Sequence, residues 1–201
     1  MIRNAVILLV VISFFVVGQV QAQPESGWGI GISVVDIHQI FEFGASEGSA
    51  YNHSIIVPIV MSQSFRLEPE IGFYNGKNTW ELQGNKEEYT ATQYRFGLGI
   101  FPQSVMKSST IYYGARIGYL SLKLKEEETF GGVTQTDEYS TSGFFIAPAV
   151  GGEYFFSNSF SLGAEAQVMY ASLSSEIEGS DVDISDTLIS TRGLVFIRFF
   201  F

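Results

Sequence analysis

Residues 191–201 read TRGLVFIRFFF. Successive side chains of a β-strand point to opposite faces, so the stretch divides into two sets. Val195, Ile197, Phe199 and Phe201 share one face, and Arg192, Leu194, Phe196, Arg198 and Phe200 share the other. One face is wholly apolar and the other carries both charges. Three consecutive phenylalanines at the end of the sequence call for a surrounding less polar than water.

The same division recurs upstream. Alternation of aromatic and β-branched residues, broken by Gly, Ser, Asn and acidic clusters, predicts eight strands: 28–43, 53–61, 65–74, 89–101, 110–123, 142–155, 160–177 and 188–201. In the third, Leu67, Pro69, Ile71 and Phe73 oppose Arg66, Glu68, Glu70 and Gly72. The fourth sets Tyr94, Phe96, Leu98 and Ile100 against Gln93, Arg95, Gly97 and Gly99. In the fifth, Ile111, Tyr113, Ile117 and Tyr119 oppose Gly114, Arg116 and Gly118. The sixth puts Glu153 on the face of Ala147, Ala149 and Gly151, and the seventh puts Glu165 with Gly163, Gln167 and Met169, opposite Leu162, Ala164, Ala166, Val168 and Tyr170. Bulk therefore lies on the uncharged face, and charge lies with the small residues. A soluble barrel would do the reverse. An interior crowded by facing strands needs small residues, whereas an exterior in lipid does not. The first strand breaks step, since its parity places Asp36 with Trp28, Ile30, Ile32 and Val34; either a bulge lies near Val34 and Val35 or Asp36 already stands above the membrane.

The connections alternate in length. GASEGSAYN, NGKNTWELQGNKEE, LKEEETFGGVTQTDEYST and EGSDVDISDT are long and mostly acidic, whereas SQS, PQSVMKSS and FSNS are shorter and carry no acids. In an up-and-down array, one end thus bears long polar loops and the other tight turns, the asymmetry of an outer-membrane barrel. Hydrophobic residues make up 46% and charged residues only 16% of the 201, below the roughly 25% charged content of ordinary soluble domains. The formal charge of −10 argues against nucleic acid as a partner. Residues 1–22 have the layout of a cleaved signal peptide: Arg3, an apolar run from Ala5 to Val17, then a small-residue exit ending at Ala22. That leaves 23–201 as one barrel domain.

With those strands and that leader, Val195, Ile197, Phe199 and Phe201 resemble the C-terminal assembly signal of bacterial outer-membrane proteins. The chain resembles the small eight-stranded outer-membrane barrels, the outer membrane protein beta-barrel domain or porin family, with the architecture of OmpX and the OmpA barrel. The resemblance implies an all-β, eight-stranded antiparallel up-and-down transmembrane β-barrel in the outer membrane of a Gram-negative cell. It further implies a monomer recognised by the barrel assembly machinery during biogenesis and surrounded by outer-membrane lipids and lipopolysaccharide.

Charges that face a lumen need partners, because an unpaired buried charge costs several kcal/mol. The expected lumen network comprises Glu68, Glu70, Arg95, Arg116, Glu153, Glu165, Arg192 and Arg198, with Arg66 beside them. Eight strands leave an interior just wide enough for side chains to fill, which favours a plug over a diffusion pore. A narrow porin-like channel is the alternative. Lipid A-modifying catalysis would have to draw on His38 or His53, and no spacing singles out a triad with Ser54 or Asp36. No catalytic residue, cofactor or metal ligand is expected; Asp181, Asp183 and Asp186 lack the placement of a calcium loop. A soluble lipocalin-like barrel is the remaining fold alternative. The functional expectation is a non-enzymatic envelope or surface-interaction protein acting through acidic extracellular loops.

Overall fold

The computed structural model describes residues 27–40, 49–51, 53–82, 85–130, 133–177 and 183–201; the expected signal peptide lies outside them. Ten strands and no helix occur among the described residues: β1 (Gly27–Ile40), β2 (Ser49–Tyr51), β3 (His53–Ile56), β4 (Ile59–Ser62), β5 (Phe65–Leu82), β6 (Asn85–Met106), β7 (Ser109–Phe130), β8 (Val133–Ser157), β9 (Phe160–Ile177) and β10 (Asp183–Phe200). Neighbours run antiparallel, and β10 returns to pair with β1 from Gly29–Phe200 to Ile40–Ser190, closing the sheet into a ring. Because β2, β3 and β4 together fill the single place between β1 and β5, the ten segments make eight staves.

The expected second strand is thus interrupted at Val57 and Pro58. Proline has no N–H to give to a ladder, yet the backbone there is not left unsatisfied. Val57 N donates to Pro69 O at 2.8 Å, and Gly29 N donates to Pro58 O at 2.9 Å. In β1 the register slips between Ser33 and Val35, so a bulge at Val34 resolves the parity problem. Val34 and Val35 both face outward, and Asp36 turns into the lumen.

A larger departure concerns the connections. The stretches 75–88 and 124–141 continue as paired strand up to Leu82–Asn85 and Phe130–Val133. Their polarity reads as loop, but Thr-rich alternation keeps the ladder going. β7 is 22 residues long, roughly twice the 9–11 a tilted strand needs to cross hydrocarbon. The expected loop 44–52 mostly falls outside the described residues.

Facing around the ring is inside out relative to a soluble barrel. Ile71, Phe96, Tyr113, Ile146, Val168 and Phe199 are exposed on the outer surface, while Arg66, Glu68, Arg116 and Arg198 are fully buried. Inside, large rings lie opposite absent side chains: Tyr112 pairs with Gly151, Phe145 with Gly118, and Phe196 with Gly163. A Cβ at Gly151 would collide with the Tyr112 ring, and one at Gly163 with Phe196. Small residues therefore make room for inward aromatics as well as for charged side chains.

Candidate functional site

The lumen holds Arg66, Arg95, Arg116, Arg192 and Arg198 against Asp36, Glu68, Glu70, Glu153 and Glu165, five of each sign, all buried. Arg116 of β7 is the hub. Its guanidinium reaches Glu165 on β9 at 2.7 Å and Glu68 on β5 at 2.7 Å, with Glu70 at 3.4 Å. Tyr112 Oη and Gln167 Nε2 donate to the same Glu165, at 2.8 and 2.6 Å.

Toward the short-turn end, Arg198 bridges Glu153 at 2.7 Å and Glu68 at 2.9 Å. Arg66 joins the same two carboxylates at 2.7 and 3.2 Å, and Ser161 Oγ donates to Glu153 at 2.6 Å. Toward the long-hairpin end, Arg192 of β10 holds Asp36 of β1 through two nitrogens at 2.7 and 2.5 Å, and Glu70 at 2.6 Å. Ser54 Oγ donates to Asp36 at 3.0 Å. Arg95 is the most loosely held cation, 3.9 Å from Glu70 and 3.3 Å from the Gln167 oxygen, with its guanidinium 4.2 Å over the Phe145 ring. Arg66 lies 3.7 Å over Tyr112, and Arg198 lies 3.8 Å over Phe196.

Glu68, Glu70, Arg95, Arg116, Glu153, Glu165, Arg192 and Arg198 thus stand in one connected cluster with Arg66. Asp36 and Tyr112 belong to it as well. Asp36 was hidden by the bulge, which switches its face. Tyr112 shares the parity of Arg116, and that parity was its signal. Chemically, the cluster neutralises itself and ties walls that are far apart in sequence. Removing one partner of such a buried pair costs about 3–5 kcal/mol.

The residues of the opening stretch line the seam where the ring closes. Val195 and Ile197 are half-buried on the outer face; Phe199 lies 5.2 Å from the Phe160 ring, and Phe201 lies 4.9 Å from the Trp28 ring. Phe201 N donates to Trp28 O at 3.0 Å.

His53 is exposed, while the adjacent Ser54 and Asp36 face the lumen, so the strand itself separates His53 from both of those groups. His38 lies in β1, in register with Arg192.

Above the apolar belt, β5 to β8 remain paired with one another as a four-stranded extension. Its outer face carries Lys77, Glu88, Lys86, Lys125 and Glu127, joined by contacts of 2.5 Å (Lys77–Glu88), 2.9 Å (Lys86–Glu88) and 2.6 Å (Lys125–Glu127). The Glu88 carboxyl is held below its ordinary range by hydrogen bonds from Lys77 and then Lys86. Lys125 is held above its own range by Glu127.

A family model described as the outer membrane protein beta-barrel domain matches residues 7–190. No curated protein matches. Among solved structures, Ail, the attachment invasion locus protein of Yersinia pestis, in its complex with the heparin analogue sucrose octasulfate, superposes with a TM-score of 0.56 at 11% identity, covering 89% of this chain and 100% of that one. The outer membrane protein OprG of Pseudomonas aeruginosa gives 0.52 at 11%, covering 90% and 99%. Neisserial surface protein A gives 0.52 at 11%, covering 88% and 98%. At these identities the likeness is one of fold. An inside-out closed ring, a filled lumen and a family match over most of its length agree: the chain belongs to the outer membrane protein beta-barrel domain family.

Proposed function

We propose that this protein is a non-enzymatic outer-membrane barrel whose lumen is closed by its own side chains and whose contribution to envelope integrity or surface interaction is made by the acidic sheet above the membrane. The observation that carries this reading is the pairing of β5 to β8 to their hairpin ends, far past the apolar belt. Outer-membrane barrels place their long connections outside the cell, so the extension faces the surroundings. Lys77, Lys123 and Lys125 line its outer face close above the belt, where lipopolysaccharide phosphates lie. In this reading residues 1–22 direct export, Val195, Ile197, Phe199 and Phe201 are read by the assembly machinery, and the barrel works as a monomer.

The five-against-five lumen opposes the narrow-channel alternative, because every buried cation lies within reach of a carboxylate. Planar-bilayer recording of the mature protein tests the point. No discrete conductance is expected from the native chain; steady channel steps would establish the channel instead. Heat modifiability on gels, with and without Phe201, tests membrane assembly. Native protein should shift on boiling, and the truncated chain should reach the membrane poorly. Equal assembly of the two would remove Phe201 from the signal.

A further inference from the structure

The inner face of the β5–β8 extension carries chemistry that neither the plug nor the belt uses. The large apolar residues most exposed on this extension are Phe130 (75%), Val133 (72%), Trp80 (59%) and Tyr139 (42%). All four share the parity of the lumen-facing residues, as the registers Trp80–Glu87, Leu124–Tyr139 and Phe130–Val133 require. Between them and the lumen, half-buried Leu122 and Leu124 continue the buried Leu120 and Phe145. An exposed apolar surface in the aqueous part of a protein marks a place of contact.

Four carboxylates stand on that same face. Glu87 lies directly across from Glu128, and Glu126 directly across from Asp137. Like charges directly opposite one another destabilise a sheet. The outer face has a similar conflict between Glu88 and Glu127 but answers it with Lys77, Lys86 and Lys125. Among the described residues no salt bridge reaches Glu87, Glu126, Glu128 or Asp137, and the lysines of the extension, Lys77, Lys86, Lys123 and Lys125, all have the outward parity. The inner face is therefore apolar, acidic and without internal compensation.

We infer that this inner face docks a cationic amphipathic peptide, its apolar side on Leu124, Tyr139, Trp80 and Phe130 and its Lys or Arg side chains on the Glu87–Glu128 and Glu126–Asp137 pairs. Charge complementarity selects the sign of the partner, and the paired repulsions give each of its cations a site between two carboxylates, whose mutual repulsion it relieves. The dimensions agree: four strands at about 4.8 Å spacing make a trough about 14–19 Å across, which admits one helix of about 10–12 Å diameter. The inference rests on the surface-interaction reading and names the partner for it.

The test uses the whole mature barrel in phosphatidylcholine nanodiscs, with empty nanodiscs as the blank and a synthetic amphipathic Lys/Leu helix as the probe. Binding is followed by Trp80 fluorescence and by calorimetry. Native protein is expected to bind saturably, with an association rate that falls as salt rises. Glu87→Gln with Glu128→Gln should slow association about tenfold, and Trp80→Ala, read by calorimetry, should weaken binding about tenfold. Glu88→Gln with Glu127→Gln, on the outer face, should leave binding unchanged. Equal loss from inner-face and outer-face pairs, or equal binding of a Glu/Leu helix, would overturn the inference. Cells carrying a barrel whose 77–88 and 123–140 stretches are replaced by tight turns separate the two failures. If shortening the sheet leaves the surface phenotype intact, the surface-interaction reading falls. If the phenotype is lost but the probe ignores the inner face, the peptide assignment alone falls.

Discussion

The lower and upper halves of β7 follow opposite rules. Below Tyr119 the strand turns Ile111, Tyr113 and Ile117 outward and Arg116 inward; above it, Ser121, Lys123 and Lys125 face outward while Leu122 and Leu124 face inward. Pairing with β6 and β8 runs without a slip through the point where the rule changes. The backbone is the same on both sides, and the difference is the medium outside it. Alternation therefore reports the strand, while which set is apolar reports the solvent. A single stave can belong to a membrane barrel at one end and to a soluble-type sheet at the other.

The largest way to break this comparison is to remove charge from the lower half. Arg116→Ala leaves Glu68 and Glu165 short of a partner and should cost about 3–5 kcal/mol, whereas Trp80→Ala in the upper half should stay within about 0.5 kcal/mol. Urea unfolding in lipid vesicles, read by the heat-sensitive gel shift, measures both; equal costs would deny the lumen network its structural part. Next in size is a change of outer-face polarity. Val150→Arg, in the belt, should cost about 2–4 kcal/mol, and Thr136→Arg, on the outer face of the extension, almost nothing. Similar values for the two would erase the boundary between the halves.

A third prediction sharpens the account of the interior. Gly151→Val drives a side chain into the Tyr112 ring and should cost about 1–3 kcal/mol. Tyr112→Leu in the same chain should recover part of that loss, and strict additivity in the double-mutant cycle would show that the ring is not the obstacle. The smallest effect concerns the upper half alone. Glu88 has a folded pKa below its unfolded one, first through Lys77 and then Lys86. Its contribution is therefore complete above the ordinary carboxylate pKa of about 4.3 and is lost as pH falls through the lower, folded value. The amide shift of Thr79, paired with Glu88 across the ladder, should move in that acid window in the native protein and move much less in Glu88→Gln, with residues around Arg116 unmoved in both.

Much of the lower half was legible in the sequence, because lipid imposes a strict period of two and tolerates no charge on the outer face. Leu67 to Phe73 and Ile111 to Tyr119 face as their parity requires. The upper half reads as loop for the same reason in reverse. Once water bathes the outside, lysine and glutamate at the strand positions of β5 and β7 look like turn chemistry, although Thr90, Thr92, Thr134 and Thr136 keep the pleat. Pro58 escaped as a break because its neighbours Ile56 and Val60 hold the right parity. The partners of individual charges were not legible at all. Which carboxylate meets Arg116 depends on the stagger of the closed ring, a long-range quantity that no local pattern encodes.

The pair that fastens β10 to β1 has a kinetic side. Arg192 and Asp36 are 156 residues apart, so the first acid of the lumen waits for nearly the whole chain before it meets its base. The entropy of closing so long a loop grows only slowly with length, but the contact belongs to the slow, non-local class. Until the last stave arrives, a carboxylate near one end and a guanidinium near the other are unmatched, and neither can enter hydrocarbon cheaply. Closing the seam therefore completes the lumen network, joining the acid of β1 to the base of β10.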